Sequence, residues 1–481
     1  MKKINKYIIM ALSFLALQGC DSFLDNKPKG FTIPEYFDDY VKLMNNQSIY
    51  RTLDVYPAFL TDDARFGNKN DQNEFALNSK GEEVINVYKF KNGQIFTPGD
   101  NDGIWKNTYS SIFTYNAVIN NVLTAPDGTE KDRQRLKAEA LFGRAYELLN
   151  LVNVYGRHYD PTTAKSDYGV PILTSETVPQ SYSRATVEEV YSKIFQDLEA
   201  AIPNLSDKVP YSFRPAKSVG DAFYARLYLY MGNYPAALES ARKALASNNY
   251  LLDYKGYTYI KGQWRRIVSK ADPSVLFLEK HDNPENLYTR LLNNTSYIFK
   301  GVCASQDLLD VFAKDLPAGA TDQRLELFYG QGTFNPGNGA MSFPGYTMFA
   351  PYIEINVGFS TPEMYLIAAE CEARIGSKDN AVNYINQLRD MRIIGNTPLS
   401  AGSNDAALQL VLEERRHEFA LMGITRLVDL KRLNRETRFA KTITHSCDGE
   451  SWTLPANDPR YIMPVPLNVL DYNPGMPQYQ R

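Results

Sequence analysis

The stretch that decides the fold reads AFYARLYLYMGNYPAALESARKAL and covers residues 222–245. Within it, Ala225 lies seven residues before Gly232 and Ala237 lies five residues after that glycine. A second stretch, PEMYLIAAECEARIGSKDNAVNYINQL at residues 362–388, has the same offsets, now between Ala369, Gly376 and Ala381. Small residues let antiparallel helices approach closely and the glycine permits the turn, so both stretches predict helix pairs with tetratricopeptide-like spacing.

Three other stretches have the apolar spacing of amphipathic helices. One extends from Trp105 to Leu123, and a second covers residues 133–155 and stops at Gly156. The third opens at Thr186, where Glu189 completes a capping box, and ends at Pro203. Together these helices predict a mainly α protein with a stacked, superhelical scaffold, located mainly in residues 105–250 and 362–435.

The remaining segments have a different composition. Residues 36–104, 251–361 and 438–481 are rich in glycine, proline, asparagine and aromatic residues and contain few long periodic runs. We expect long loops with short strands here, packed on the helices as part of a single body at residues 36–481. Long ordered loops on a rigid scaffold are the usual place for binding sites.

The N-terminus has the features of a targeting segment. Lys2, Lys3 and Lys6 precede an apolar run at residues 7–17 that is too short to span a bilayer but suits a signal peptide. The run ends in Leu17-Gln18-Gly19-Cys20, which resembles a bacterial lipobox. We therefore expect residues 1–19 to be removed, Cys20 to be lipidated, and residues 20–35 to form a flexible tether. The alternative is an ordinary secretory signal that contains a cysteine.

Composition excludes several classes of function. The formal net charge is −3 and becomes −6 without the three leader lysines. The sequence has no basic patch of the kind that nucleic-acid binding needs. Once Cys20 is lipidated, three cysteines remain: Cys303, Cys371 and Cys447. An odd number argues against a disulfide framework, although a single Cys303–Cys447 bridge is an open alternative. We expect Cys371 to be a buried thiol. No metal or cofactor motif is evident, and the sequence predicts neither.

Two charged motifs allow a catalytic or metal-binding interpretation. Glu414 and Glu418 share a helix face, as a glycosidase pair could. Nearby arginines lower a carboxylate pKa, however, which favours an ion-pair lock between this helix and the segment after it. Asp100-Asn101-Asp102-Gly103 could hold calcium but lacks the spacing and the closing glutamate of an EF-hand, so a polar turn is favoured.

Several of these stretches together resemble the SusD/RagB family. The matching segments follow the family's order along nearly the whole mature chain: Trp105, Tyr109 and Asn116; residues 138–156, 168–172, 184–191 and 222–245; residues 362–370 and 385–389; residues 412–419, with Arg426 and 429–432; and residues 461–466 and 473–474. Each motif is modest alone, and the ordered set with a lipobox is specific.

The resemblance implies a fold of four tetratricopeptide-like helix pairs that support a loop-rich half. It also implies a lipid-anchored, surface-exposed outer-membrane protein of Bacteroidota that hands a nutrient to a SusC-like TonB-dependent transporter. Family members most often bind glycans or oligosaccharides, and some serve peptides. We therefore expect a binding protein rather than an enzyme. A surface glycoside hydrolase and a protein-binding helical adaptor are the alternatives.

Candidate ligand residues lie in the loop-rich segments. Aromatic faces bind the C–H edges of sugars while polar groups take the hydroxyls. A tract of aromatic and basic residues makes Trp264, or a neighbour such as Tyr259, a candidate platform, with packing against the scaffold as the alternative. Further candidates, in tracts that line the ligand face of some relatives, are Asp62, Asp63, Arg65, Phe96 and Asn101.

Overall fold

The architecture is taken from a computed structural model, which describes residues 34–69, 75–176, 181–260, 266–292, 300–334, 341–351 and 353–481. Within these ranges no helix combines the length and the apolar character that crossing a bilayer requires. Helices dominate and the strands are short, so the prediction of a mainly α fold is confirmed.

The longer helices fall into two groups, at residues 103–247 and 361–433, and a loop-rich segment with only short helices separates them. In chain order the helices are α1 (Phe37–Met44), α2 (Glu82–Tyr88), α3 (Gly103–Asn121), α4 (Glu130–Tyr155), α5 (Val187–Ala201), α6 (Val219–Met231), α7 (Tyr234–Ser247), α8 (Gln306–Lys314), α9 (Gln323–Phe328), α10 (Thr361–Ile375), α11 (Lys378–Arg392), α12 (Asn404–Phe419), α13 (Thr425–Leu433) and α14 (Leu467–Tyr472). Contact between α7 and α10 joins the two groups.

Helices α3, α4 and α5 pack side by side in the first group. The capping box predicted at the start of α5 is present, since Thr186 Oγ1 accepts from the Glu189 amide and the Glu189 carboxylate accepts from the Thr186 amide. Arg144, buried on α4, donates to both carboxylate oxygens of Asp197 on α5 at 2.8 Å and to Asn116 Oδ1 on α3 at 2.8 Å. One buried guanidinium therefore ties three helices together.

The two helix pairs predicted from the alanine and glycine offsets are α6–α7 and α10–α11. All four alanines of the offsets are fully buried, as a close helix–helix seam requires. The glycines serve different purposes. Gly232 adopts the left-handed conformation (φ +73°) that ends α6. Gly376 has a negative φ, but a Cβ at this position would overlap the Glu372 carboxylate.

The loop-rich half contains short antiparallel strands. They are β1 (Ala64–Arg65), β2 (Tyr257–Tyr259), β3 (Ile267–Ser269), β4 (Asn286–Tyr288), β5 (Leu291–Leu292), β6 (Cys303–Ala304), β7 (Thr321–Asp322), β8 (Tyr329–Phe334), β9 (Met341–Phe349), β10 (Ile355–Asn356), β11 (Phe359–Ser360), β12 (Ile393–Ile394), β13 (Ile443–Cys447) and β14 (Glu450–Leu454). The largest sheet among the described residues has the strand order β1-β6-β9-β8. The prediction of loops with short strands on a helical scaffold is therefore confirmed.

The ion-pair lock predicted at Glu414 and Glu418 exists, with partners that the sequence did not indicate. Arg324 of α9 donates to Glu414 at 2.7 Å and to Glu418 at 3.0 Å. Two arginines of α11 complete the lock, Arg389 with Glu414 at 3.1 Å and Arg392 with Glu418 at 2.9 Å. These two glutamates therefore join α12 to α11 and to the loop-rich half, rather than to the segment after α12.

Candidate functional site

The candidate site lies on the four-stranded sheet, where three distant chain segments meet. Arg65 on β1 pairs with Cys303 on β6, and Cys303 pairs with Met348 on β9. Residues two apart on a strand share a face, so Tyr346 lies on the same face as Met348. The half-buried Arg65 side chain extends across β6, and its guanidinium carbon lies 4.3 Å from the centroid of the Tyr346 ring.

A third polar group borders this stacked pair. Asn68 is exposed, and its Nδ2 lies 3.5 Å from Tyr346 Oη. Its position is fixed by the tip of the β13–β14 hairpin, where the Asp448 amide donates to Asn68 Oδ1 at 2.8 Å. We call Arg65, Asn68 and Tyr346 the sheet face. A guanidinium fork, an amide and an aromatic ring side by side suit recognition of hydroxyl-bearing ligands.

Asp62 and Asp63, two of the predicted ligand residues, lie inside the protein. Arg426 donates to both oxygens of Asp62 at 2.8 Å, and Lys441 Nζ lies 2.8 Å from Asp62 Oδ2. Burial alone would raise the pKa of Asp62, but Arg426, Arg416 and Lys441 hold it well below its usual range.

Asp63 is fully buried, and its Oδ1 accepts from Arg416 Nε at 2.6 Å. Burial raises the pKa of this carboxyl in spite of Arg416. The arginines of α12 and α13 thus fix the loop that leads into Arg65. Direct ligand contact by Asp62 or Asp63 stays a prediction, and the geometry favours a role in positioning.

Phe96 and Asn101 lie in the loop before α3. Phe96 is half-buried and makes an edge contact with Tyr56, with ring centroids 5.4 Å apart. Asn101 is exposed, and its Oδ1 accepts from Asn468 at 2.9 Å. Asp102 is buried and caps α3 while the Tyr56 and Tyr155 hydroxyls donate to it, which is consistent with the favoured polar turn.

Of the other predicted residues, only Tyr259 can be placed, and it lies away from the sheet face. Tyr259 is half-buried in β2, which pairs only with β3 among the described strands. Trp264 and Cys20 lie outside the described residues, as do residues 1–33. Cys303, Cys371 and Cys447 are buried and no disulfide joins them, so the structure does not contain the Cys303–Cys447 bridge that the sequence left open. The expected buried thiol at Cys371 is confirmed.

Arg65 is one of the ligand residues predicted from the sequence, whereas Tyr346 and Asn68 were not predicted. Both lie outside any periodic segment, and Tyr346 directly follows a glycine-rich stretch that carries no helical or alternating pattern. Only the pairing of β1 with β6 and of β6 with β9 brings Tyr346 close to Arg65. The sequence signal for Tyr346 was the loop-rich composition of residues 251–361, and Asn68 lies in the loop-rich segment 36–104.

The electrostatic surroundings of Glu414 on α12 are unfavourable for a general acid. Burial would raise the pKa of Glu414, but Arg324, His417 and Arg389 hold it well below its usual range. A glycosidase acid needs the opposite shift, so that the group is protonated near neutral pH. These carboxylates therefore hold α9, α11 and α12 together.

These features define a helical-repeat protein in which tetratricopeptide-like pairs support a large loop-rich half. Two family models match the chain. Residues 22–229 match one described as "Starch-binding associating with outer membrane", and residues 361–480 match the SusD family. SusD-like protein P2 of Formosa agariphila is 25% identical, with 90% of this chain and 91% of that relative aligned.

Solved structures have the same fold. A SusD superfamily protein from Bacteroides thetaiotaomicron gives a TM-score of 0.70 at 21% identity, over 93% of this chain and 100% of the other. A SusD-like carbohydrate binding protein from Bacteroides vulgatus gives 0.65 at 18% identity, over 92% and 98%. The chain belongs to the SusD/RagB family.

Proposed function

We propose that the mature chain is a lipid-anchored protein of the cell surface that binds a glycan and delivers it to a SusC-like TonB-dependent transporter. Membership of the SusD/RagB family carries the proposal, because the family model matched by residues 22–229 describes starch binding and association with the outer membrane. The carbohydrate binding named for the Bacteroides vulgatus structure supports the same ligand class. No step in this role requires bond cleavage by the chain itself.

The sheet face is the proposed point of glycan contact. Tyr346 supplies a ring for the C–H edges of a sugar, and Asn68 and Arg65 supply hydrogen-bond donors for hydroxyls. The ion pairs of Asp62 and Asp63 fix the loop that leads into Arg65, which supports a defined position for this donor before a ligand arrives. Preorganised groups of this kind lower the entropic cost of binding.

A ligand screen tests the glycan proposal. The mature protein, purified from outer membranes, is screened by thermal shift against soluble oligosaccharides and peptides, because a ligand that binds only the folded state raises the melting temperature. We expect a shift with one class of oligosaccharide and a loss of that shift in Tyr346→Ala. The matched control is Tyr472→Ala, which removes a tyrosine that is 80% exposed on α14.

The screen also separates the alternatives. A peptide that shifts the melting temperature while no glycan does would overturn the glycan proposal. Release of reducing sugar during incubation would favour the glycoside hydrolase. Unchanged shifts in Tyr346→Ala would remove the sheet face from the site.

The anchor is tested at Cys20. With Cys20→Ser the chain cannot be alkylated, so we expect it to leave the membrane fraction and to lose incorporation of labelled fatty acid. Cys371→Ser is the matched control, because it replaces a buried thiol elsewhere in the chain. Retention of Cys20→Ser in the outer membrane would show that the attachment does not depend on this cysteine.

The transporter partner is tested by co-purification. We expect a mild-detergent extract of outer membranes to yield a complex of this chain with a TonB-dependent barrel protein. A stable partner of another class, with no transporter in the complex, would favour the helical adaptor.

A further inference from the structure

A pocket of about 280 Å³ shares no lining residue with the sheet face. Its walls come from the loop after α4 at residues 157–167, from the end of α13 and the residues after it at 431–435, and from the C-terminal segment at 457–462. We call it the seam pocket, because it lies where the C-terminal segment meets the scaffold. Its volume is near the lower limit for small-molecule sites and suits a single sugar ring.

The acidic groups of the seam pocket are already paired with arginines. Asp160 pairs with Arg435, Asp167 lies 3.5 Å from Arg157, and both oxygens of Asp458 accept from Arg460. The carboxylates in the wall therefore carry little negative charge that is not already balanced by a neighbouring arginine.

Lys431, which also lines the pocket, is a buried cation without a counter-charge. Its Nζ donates to the carbonyls of Asn153 and Gly156 at 2.6 Å each, which accounts for two of the three donors of an ammonium group. Within the described part of the chain, no carboxylate pairs with it. Burial lowers the pKa of Lys431 to about 7, since the two carbonyls alone do not compensate a full charge.

Three further polar atoms in the wall are buried. His158 Nδ1 has no hydrogen-bond partner among the described residues, and Asn434 Nδ2 and Tyr461 Oη have none there beyond a weak contact with each other. Burial, together with the charges of Lys431, Arg432 and Arg435, holds the pKa of His158 well below its usual range, so the ring is neutral. Burial also raises the pKa of Tyr461, and the neighbouring Asn434 amide offsets part of this. Unpartnered buried polar groups are costly in a folded protein and point to a missing partner.

The rim of the pocket adds an aromatic surface. Arg157, which lines the pocket, has its guanidinium carbon 5.5 Å from the centroid of the Tyr479 ring. Tyr168, which is 41% exposed, lies against the same ring, with the two centroids 5.5 Å apart. This aromatic pair lies beside Arg157 and outside the residues that line the pocket.

We propose that the seam pocket binds a monosaccharide-sized sugar acid, with Lys431, Asn434 and Tyr461 donating to its carboxylate and His158 accepting from a hydroxyl. A carboxylate supplies the negative counter-charge that Lys431 lacks. It also supplies hydrogen-bond acceptors for the Asn434 amide and the Tyr461 hydroxyl. A neutral sugar would supply acceptors but no counter-charge. The site is separate from the sheet face and does not depend on the proposed glycan role of that face.

Calorimetric titration of the mature protein with glucuronate, and with glucose as the neutral counterpart, tests the proposal. We expect glucuronate to bind and glucose to bind at least tenfold more weakly. A hydrogen bond to a charged group accounts for roughly a tenfold to hundredfold change in affinity, so we expect Tyr461→Phe to weaken glucuronate binding by about tenfold or more. The matched control is Tyr191→Phe, which removes another buried, unpartnered hydroxyl that does not line the pocket.

Three outcomes would overturn the proposal. They are no binding of glucuronate, equal affinity for glucose and glucuronate, and equal losses in Tyr461→Phe and Tyr191→Phe. Tyr346→Ala provides the remaining check, because it alters the sheet face alone. Loss of glucuronate binding in Tyr346→Ala would place the ligand at the sheet face and remove it from the seam pocket.

Discussion

Glu147 makes the stability of the protein depend on pH in a way that one substitution should remove. The side chain lies on α4 and is fully buried. Its Oε2 accepts from Thr52 Oγ1 at 2.9 Å, while Oε1 has no hydrogen-bond partner among the described residues. Burial raises the pKa of Glu147 to about 7 from its ordinary value of 4.5, against the opposing effect of Arg290.

The sign of the effect follows from this shift. Because the pKa is higher in the folded state, the folded protein holds the proton more tightly, and stability is lost as pH rises from 4.5 through about 7. A glutamine is neutral at every pH. Each pKa unit corresponds to about 1.4 kcal/mol. The unfolding free energy of Glu147→Gln minus that of wild type should therefore be roughly 2 to 3 kcal/mol larger at pH 8 than at pH 5.

Urea unfolding of wild type and Glu147→Gln at pH 5 and pH 8 measures this difference. The matched control is Glu130→Gln, whose side chain is 79% exposed at the start of the same helix and should show little pH-dependent difference. An equal difference between Glu147→Gln and wild type at both pH values would show that Glu147 does not cause the pH dependence. A larger gain at pH 5 would show that the sign is wrong.

Three further predictions concern the scaffold. Arg144→Ala leaves the buried Asp197 carboxylate without its bidentate partner and should cost about 3 kcal/mol of unfolding free energy. The double variant Arg144→Ala/Asp197→Asn should recover part of this loss. If the losses of the two single variants simply add in the double variant, the pairing is not supported. Gly232→Ala places a side chain at φ +73° with open space around it and should cost about 1 kcal/mol in urea unfolding. Gly358→Ala drives a Cβ into the Tyr288 carbonyl oxygen and should prevent accumulation of soluble protein, so normal yields of that variant would be inconsistent with the packing.

Local signals were sufficient to predict the scaffold. The helix pairs follow from short-range spacing of alanine and glycine, and the capping box at Thr186 and Glu189 acts over three residues. Such features depend on neighbours in the chain, so one sequence reveals them. The same holds for the polar turn at Asp102, which caps the helix that starts at the next residue.

The partners of buried charges could not be predicted, because they come from distant parts of the chain. Glu414 pairs with Arg324, which is 90 residues away, and Asp63 pairs with Arg416, which is 353 residues away. The position of Asp63 inside the protein follows from that second pairing and from nothing in its local sequence. Tyr346 joins Arg65 for the same reason, since only the sheet brings β1 and β9 together.

Glycan binding by the loop-rich half through the sheet face is the main proposal for this protein. Its sharpest test is calorimetric titration of the mature protein with the oligosaccharide that gives the largest thermal shift. We expect a saturable one-site isotherm, an affinity at least tenfold lower in Tyr346→Ala through loss of a stacking contact, and an unchanged affinity in Tyr472→Ala. Equal affinity in wild type and Tyr346→Ala, or no oligosaccharide that binds at all, would show that the sheet face is not a glycan site.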